Sequence, residues 1–149
     1  MLPKIENRKI EVWKLELANG SVKSRNLKKK LKKMEIRLLV LRTSDTKKLS
    51  DFYSLFGLTF DYHKHGNSPF HYSATIGKTV LEIYPLTKSQ IEADKNLRLG
   101  FGIENFDTII QKLIELEVEF SLPPTQTEYG FMAIIVDIDG RKIELYKND

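Results

Sequence analysis

The chain of 149 residues contains no cysteine. That excludes thiolate catalysis, disulfide bridges and Cys-ligated zinc. Its three histidines, His63, His65 and His71, are confined to one short stretch, so imidazole chemistry has few places to occur. No apolar run approaches the length of a membrane span, and the N-terminus lacks the apolar core of a signal peptide. The expected compartment is therefore the cytoplasm. P-loop, nucleophile-elbow, dinucleotide-fingerprint and zinc-finger spacings are also missing, which removes the commonest nucleotide and acyl-transfer readings. What remains is a length and apolar content sufficient for one core without staples.

Charge is unevenly placed. Residues 1–33 carry eleven Lys/Arg and three Glu, a charge of +8, so the overall +4 leaves −4 on residues 34–149. The leader ends in Lys28-Lys-Lys-Leu-Lys-Lys33, a run able to meet RNA or an anionic membrane surface. It has no interleaved aromatics, so a solvated tail is the plainer expectation. Within it, Ile10–Leu17 alternates and Asn19-Gly20 signals a hairpin turn. Met34 opens a different texture and is a candidate natural start.

From residue 35 the pattern reads strand, helix, strand, strand, strand, and then repeats. The first unit, about 35–86, has an apolar strand at 35–42. A helix capped by Ser44 or Asp45 follows and ends at Gly57, then strands over 58–64, 70–76 and 79–86. The polar stretch 87–96 links it to a second unit, about 97–147. That unit has a strand at 97–103, a helix capped by Asn105 and a short strand over 118–122 broken by Pro123-Pro124. Strands over 129–136 and 142–146 complete it. The expected fold is α+β: two βαβββ modules whose sheets curl around a central cleft.

The repeat extends to side chains. Gly77-Lys-Thr-Val-Leu-Glu-Ile-Tyr84 recurs as Gly140-Arg-Lys-Ile-Glu-Leu-Tyr146. Each copy is a turn glycine, then a strand with a glutamate among large apolar residues, then a tyrosine. A glutamate so placed needs a cation, a metal or a hydrogen-bond donor beside it. Glu82 and Glu144 at equivalent places suggest one pocket built by pseudo-symmetry.

These residues resemble the vicinal-oxygen-chelate superfamily, which includes glyoxalase I (lactoylglutathione lyase), bleomycin-resistance proteins and extradiol dioxygenases. Asp51-Phe-Tyr-Ser-Leu-Phe-Gly-Leu58 is similar to the family's "FY…LG" helix end. Val136-Asp-Ile-Asp-Gly-Arg-Lys-Ile-Glu-Leu145 is similar to its "D-P-D-G-x-x-I-E-L" finish, with Ile138 where proline is usual. The resemblance implies four strand positions that hold a divalent metal in many members. Two fall on Glu82 and Glu144. The others fall on Leu38, which has no donor atom, and Arg98, which is permanently protonated. The expectation is a protein that binds a small metabolite or toxic compound without the usual metal, with Arg98 held between Glu82 and Glu144. Glu82 and Glu144 are then the candidate catalytic carboxylates, and Arg42, Arg98, Tyr84, Phe101 and Tyr146 the candidate substrate contacts. The alternative is a lyase or isomerase holding Ni, Zn, Mn or Fe through Glu82 and Glu144. A third reading places RNA or membrane contact in the leader.

Gly100 and Gly102 clear one strand face, for a ligand or for close packing. A metal site on the three histidines would be separate from the family's site, and solvent exposure is the plainer reading. The resemblance also implies a homodimer.

Overall fold

The computed structural model describes residues 34–148; the leader hairpin and the basic run lie outside them. Residues 34–37 have no regular structure. The compact unit from Arg37 onward contains β1 (Leu38–Thr43), α1 (Thr46–Ser54), β2 (Asp61–His63), β3 (His71–Ile76) and β4 (Thr79–Pro85). These are followed by β5 (Leu99–Ile103), α2 (Phe106–Glu115), β6 (Phe120–Thr127), β7 (Gly130–Val136) and β8 (Lys142–Lys147). One four-stranded sheet has the order β1-β4-β3-β2 and the other β5-β8-β7-β6. In each, the first strand lies parallel to the fourth and the rest are antiparallel. The two modules are thus the same βαβββ unit used twice, and the α+β expectation holds.

Local chemistry explains the elements. The Asp45 carboxylate caps α1 by accepting the Lys48 amide at 2.9 Å. Leu49, Phe52 and Tyr53 then face inward at helical spacing. Gly57 closes the turn after the helix with φ +88°, a left-handed conformation that costs glycine nothing. In β4 and β8 alternation does the sorting: Leu81 and Ile83, and likewise Ile143 and Leu145, are buried, while Glu82, Tyr84, Glu144 and Tyr146 take the opposite face. One core gathers Leu41, Leu49, Tyr53, Leu81 and Ile83 of the first module with Ile103, Phe106, Leu113, Ile135, Ile143 and Leu145 of the second.

Two sequence expectations need correction. The strand expected over 58–64 is regular only at Asp61–His63. Pro123-Pro124 does not break the sixth strand, which runs from Phe120 to Thr127. β6 is an edge strand with register shifts between Phe120 and Leu122 and between Leu122 and Thr125. Edges and bulges are where a missing N–H is tolerated.

The DxDGR segment after β7 turns out to be a structural knot. Arg141, 1% exposed, donates through Nη1 to Asp137 Oδ2 at 3.1 Å and to Asp139 Oδ2 at 2.7 Å. Its Nη2 donates to the Arg42 carbonyl at 2.6 Å. Thr43 donates to Asp139 at 3.0 Å, and the Tyr53 hydroxyl to Asp137 at 3.1 Å. The network therefore fastens β1 and α1 of the first module to the β7–β8 turn of the second.

Candidate functional site

The register fixes which side chains can meet. Glu82 pairs with Val40 and Glu144 with Gly100, so Leu38 and Arg98 each stand two residues before the partner of a glutamate. They are structurally equivalent, as the repeat implies. Leu38 is 55% exposed and offers no donor.

In the second module, Arg98 Nε lies 2.6 Å from Glu144 Oε1. The Tyr146 hydroxyl donates a short hydrogen bond to Glu144 Oε2. Both carboxylate oxygens are therefore engaged by donors from the protein. That hydrogen bond, ahead of burial and the Glu144 charge, raises the Tyr146 pKa above its usual value. Gly100 gives the Tyr146 ring room: a β-carbon there would lie 3.3 Å from it, a tight contact. Of the two readings of these glycines, Gly100 fits close packing. The triad opens on a cavity of about 580 Å3 walled by Leu122, Tyr129, Met132 and Ile134. An apolar wall with a few converging polar groups is the usual build of a small-molecule pocket.

In the first module the corresponding face carries a row across all four strands. The Arg42 guanidinium lies 5.3 Å from the Tyr84 ring centroid and donates to the Pro85 carbonyl at 2.9 Å. Tyr84 stacks on His71, with centroids 4.0 Å apart. His71 pairs with His63 on β2. Glu82 lies beside this row, its Oε1 3.7 Å from His71 Nε2.

These positions revise parts of the sequence reading. Arg98 pairs with Glu144, while Glu82 has His71 Nε2 at 3.7 Å in place of an arginine. Glu82 is not among the residues lining the cavity that holds Glu144. Phe101 stands on the other face of β5 from Gly100, where its ring centroid lies 6.1 Å from that of Tyr53 and 6.4 Å from that of Phe56. It is a core residue, not a cavity contact. The sequence reading also missed the cavity wall, because β6 and β7 carry no distinctive motif. The family's metal set does not fit this chain: of its four positions one is leucine and one an arginine bound to the third.

The comparisons with known proteins agree with this geometry. Residues 35–145 match the family model described as the Glyoxalase/Bleomycin resistance protein/Dioxygenase superfamily. The chain belongs to this superfamily. Among solved structures it is similar to TnmS3, an antibiotic-binding protein from Streptomyces sp. CB03234, with 22% identity and a TM-score of 0.64 over 78% of this chain and 97% of that one. Oxidase ChaP-H2 gives 16% identity and a TM-score of 0.64, covering 78% and 95% of the two chains. A possible glyoxalase from Bacillus cereus gives 23% and 0.58, covering 76% and 98%. No curated protein matches. At these identities the solved superfamily structures speak for the fold, and the chemistry must come from this chain's own residues. Among the described residues no helix is long and apolar enough to cross a membrane.

Proposed function

We propose that this superfamily member is a small-molecule-binding protein of the bleomycin-resistance type. Its ligand sits in the cavity of the second sheet, against Arg98, Glu144 and Tyr146. The observation that carries the reading is the ion-paired, hydrogen-bonded Arg98–Glu144–Tyr146 group beside an apolar wall. Arg98 supplies donors, Glu144 and the Tyr146 hydroxyl oxygen supply acceptors, and Tyr129, 73% exposed, offers a ring on which a flat ligand can stack. The description of TnmS3 as antibiotic-binding makes antibiotics the first probes for this cavity. Catalysis by Glu144 as a base has less support, since its carboxylate is ion-paired with Arg98 and accepts a hydrogen bond from Tyr146. The lyase reading requires a metal that Leu38 and Arg98 do not accommodate.

Isothermal titration with bleomycin and with flat polycyclic antibiotics tests this. Binding of at least one of these probes should weaken roughly tenfold or more, about 1.4 kcal/mol, in Arg98→Ala and in Tyr129→Ala. Binding indifferent to both substitutions, or seen with none of the probes, counts against the assignment.

A further inference from the structure

We propose a second site, separate from the cavity and made of residues outside the family's metal set, which it adjoins at Glu82: the three histidines of the β2–β3 hairpin bind one divalent d-block cation. The reading does not depend on the small-molecule assignment. One ligand nitrogen from each of His63, His65 and His71 lies within 4.8 Å of the other two. Nε2 of His63 and Nε2 of His65 are 3.1 Å apart. Two imidazole nitrogens on one tetrahedral zinc, each at about 2.0–2.1 Å, stand roughly 3.3 Å apart, so this pair is already at ligating separation.

His71 supplies the independent observation. Its ring is fully buried, and Nδ1 lies 3.0 Å from the Pro69 carbonyl oxygen. A carbonyl only accepts, so Nδ1 carries the proton, and in the neutral ring the Nε2 lone pair is left free. That Nε2 is buried with no hydrogen-bond partner. Its charged neighbour is Glu82 Oε1 at 3.7 Å, which is also an acceptor. A buried lone pair facing a carboxylate calls for a positive charge between or beside them; a proton would supply it, and so would a metal ion, for which two further imidazole nitrogens stand within 4.8 Å. A carbonyl holding the far nitrogen of a ligating histidine is the usual outer-shell arrangement.

The hairpin loop is also held. Ser68 N donates to the His65 carbonyl and His65 N to Ser68 Oγ, both at 2.9 Å. His65 is exposed and His63 half-buried, so these two can close on the fixed His71. Three imidazoles select Zn, Co, Ni or Cu over Mg or Ca, and leave one coordination position for water or an anion.

The test uses untagged full-length protein, stripped with chelator and titrated with Zn2+ and with Co2+ at neutral pH. One ion per chain is expected, with visible d–d absorption for Co2+ and no competition from Mg2+. The chain has three histidines, so no other imidazole can account for such a signal. His63→Ala and His65→Ala spare the buried ring and should each cost more than about 100-fold in affinity. Glu82→Gln should cost roughly 10–100-fold, as expected for an outer-shell partner. Glu144→Gln should leave zinc binding unchanged. Absence of Zn2+ and Co2+ binding overturns the proposal, as does binding retained in both histidine variants. Binding lost in Glu144→Gln but kept in His63→Ala would place the ion in the family's cleft instead.

Discussion

At the scale of single residues, the most consequential side chain is Arg141. It is buried among two aspartates and a carbonyl, and its Nε has no partner. Burial lowers its pKa, but hydrogen bonds and charge from Asp139 and Asp137 outweigh this and the net direction is up. Removing it leaves buried carboxylates uncompensated, which typically costs about 3–5 kcal/mol. Arg141→Met should therefore lower stability by several kcal/mol in urea titration. A loss under about 1 kcal/mol would show that the knot is dispensable. Tyr53 makes a pH prediction. Burial first, then the Asp137 charge, push its pKa far above the usual value. The folded chain keeps that proton after the unfolded chain has lost it, so its contribution is complete below about pH 10. Above that it falls by about 1.4 kcal/mol per pH unit. Tyr53→Phe should be less stable at neutral pH, having lost the Asp137 hydrogen bond, yet decline less steeply with alkali. Parallel declines for the two proteins would rule this out.

At the scale of elements, the two helices end differently although the modules are duplicates. α1 is followed by Gly57 at φ +88°, whereas α2 is followed by Glu117 at φ +56°. After α2, the amides of Glu117 and Val118 donate to Ile114 and Leu113, a Schellman-type closure that prefers glycine. Nothing lies within 4 Å of a β-carbon built at Gly57, so backbone conformation alone sets the cost there. Gly57→Ala should destabilise, and Glu117→Gly stabilise, each by about 0.5–1 kcal/mol. Thermal melts of the pair should move in opposite directions. The helix N-termini differ too: Asp45 caps α1 through its side chain, and Asn105 makes no such bond. Asp45→Ala should cost about 1 kcal/mol and Asn105→Ala markedly less.

At the scale of the whole molecule, the expected assembly is a symmetric dimer. Leu38 and Val40 on the open face of β1 are exposed apolar residues of the kind that contact surfaces use. A charge of only −4 on residues 34–149 does little to keep copies apart. Light scattering should give twice 17.3 kDa; a monomer at tens of micromolar would remove the idea. Deleting residues 1–33 should leave cooperative unfolding and ligand binding unchanged, because both modules begin after them. Loss of folding would make the leader part of the structure. RNA retained by the full chain alone, and released by salt, would give it a function.

The α+β class, both modules, a helix cap at Ser44 or Asp45 and the alternation of β4 and β8 were legible in the sequence. They are local: apolar periodicity, capping residues and turn glycines act within a few residues of chain. The equivalence of Leu38 with Arg98 was legible too, because the repeat preserves register. Sequence could not assign partners across elements. That Arg98 takes Glu144, that Phe101 belongs to the core, and that Pro123-Pro124 is absorbed at a bulged edge depend on strand pairing and twist. Those are set by the whole core closing at once. The DxDGR motif and the three histidines show the difference most plainly. The family resemblance drew out the first and the clustering of histidines the second, but only the packed structure made the first a buried fastening between modules. Only the packed structure, likewise, left one nitrogen of the second buried beside a carboxylate with no donor of its own.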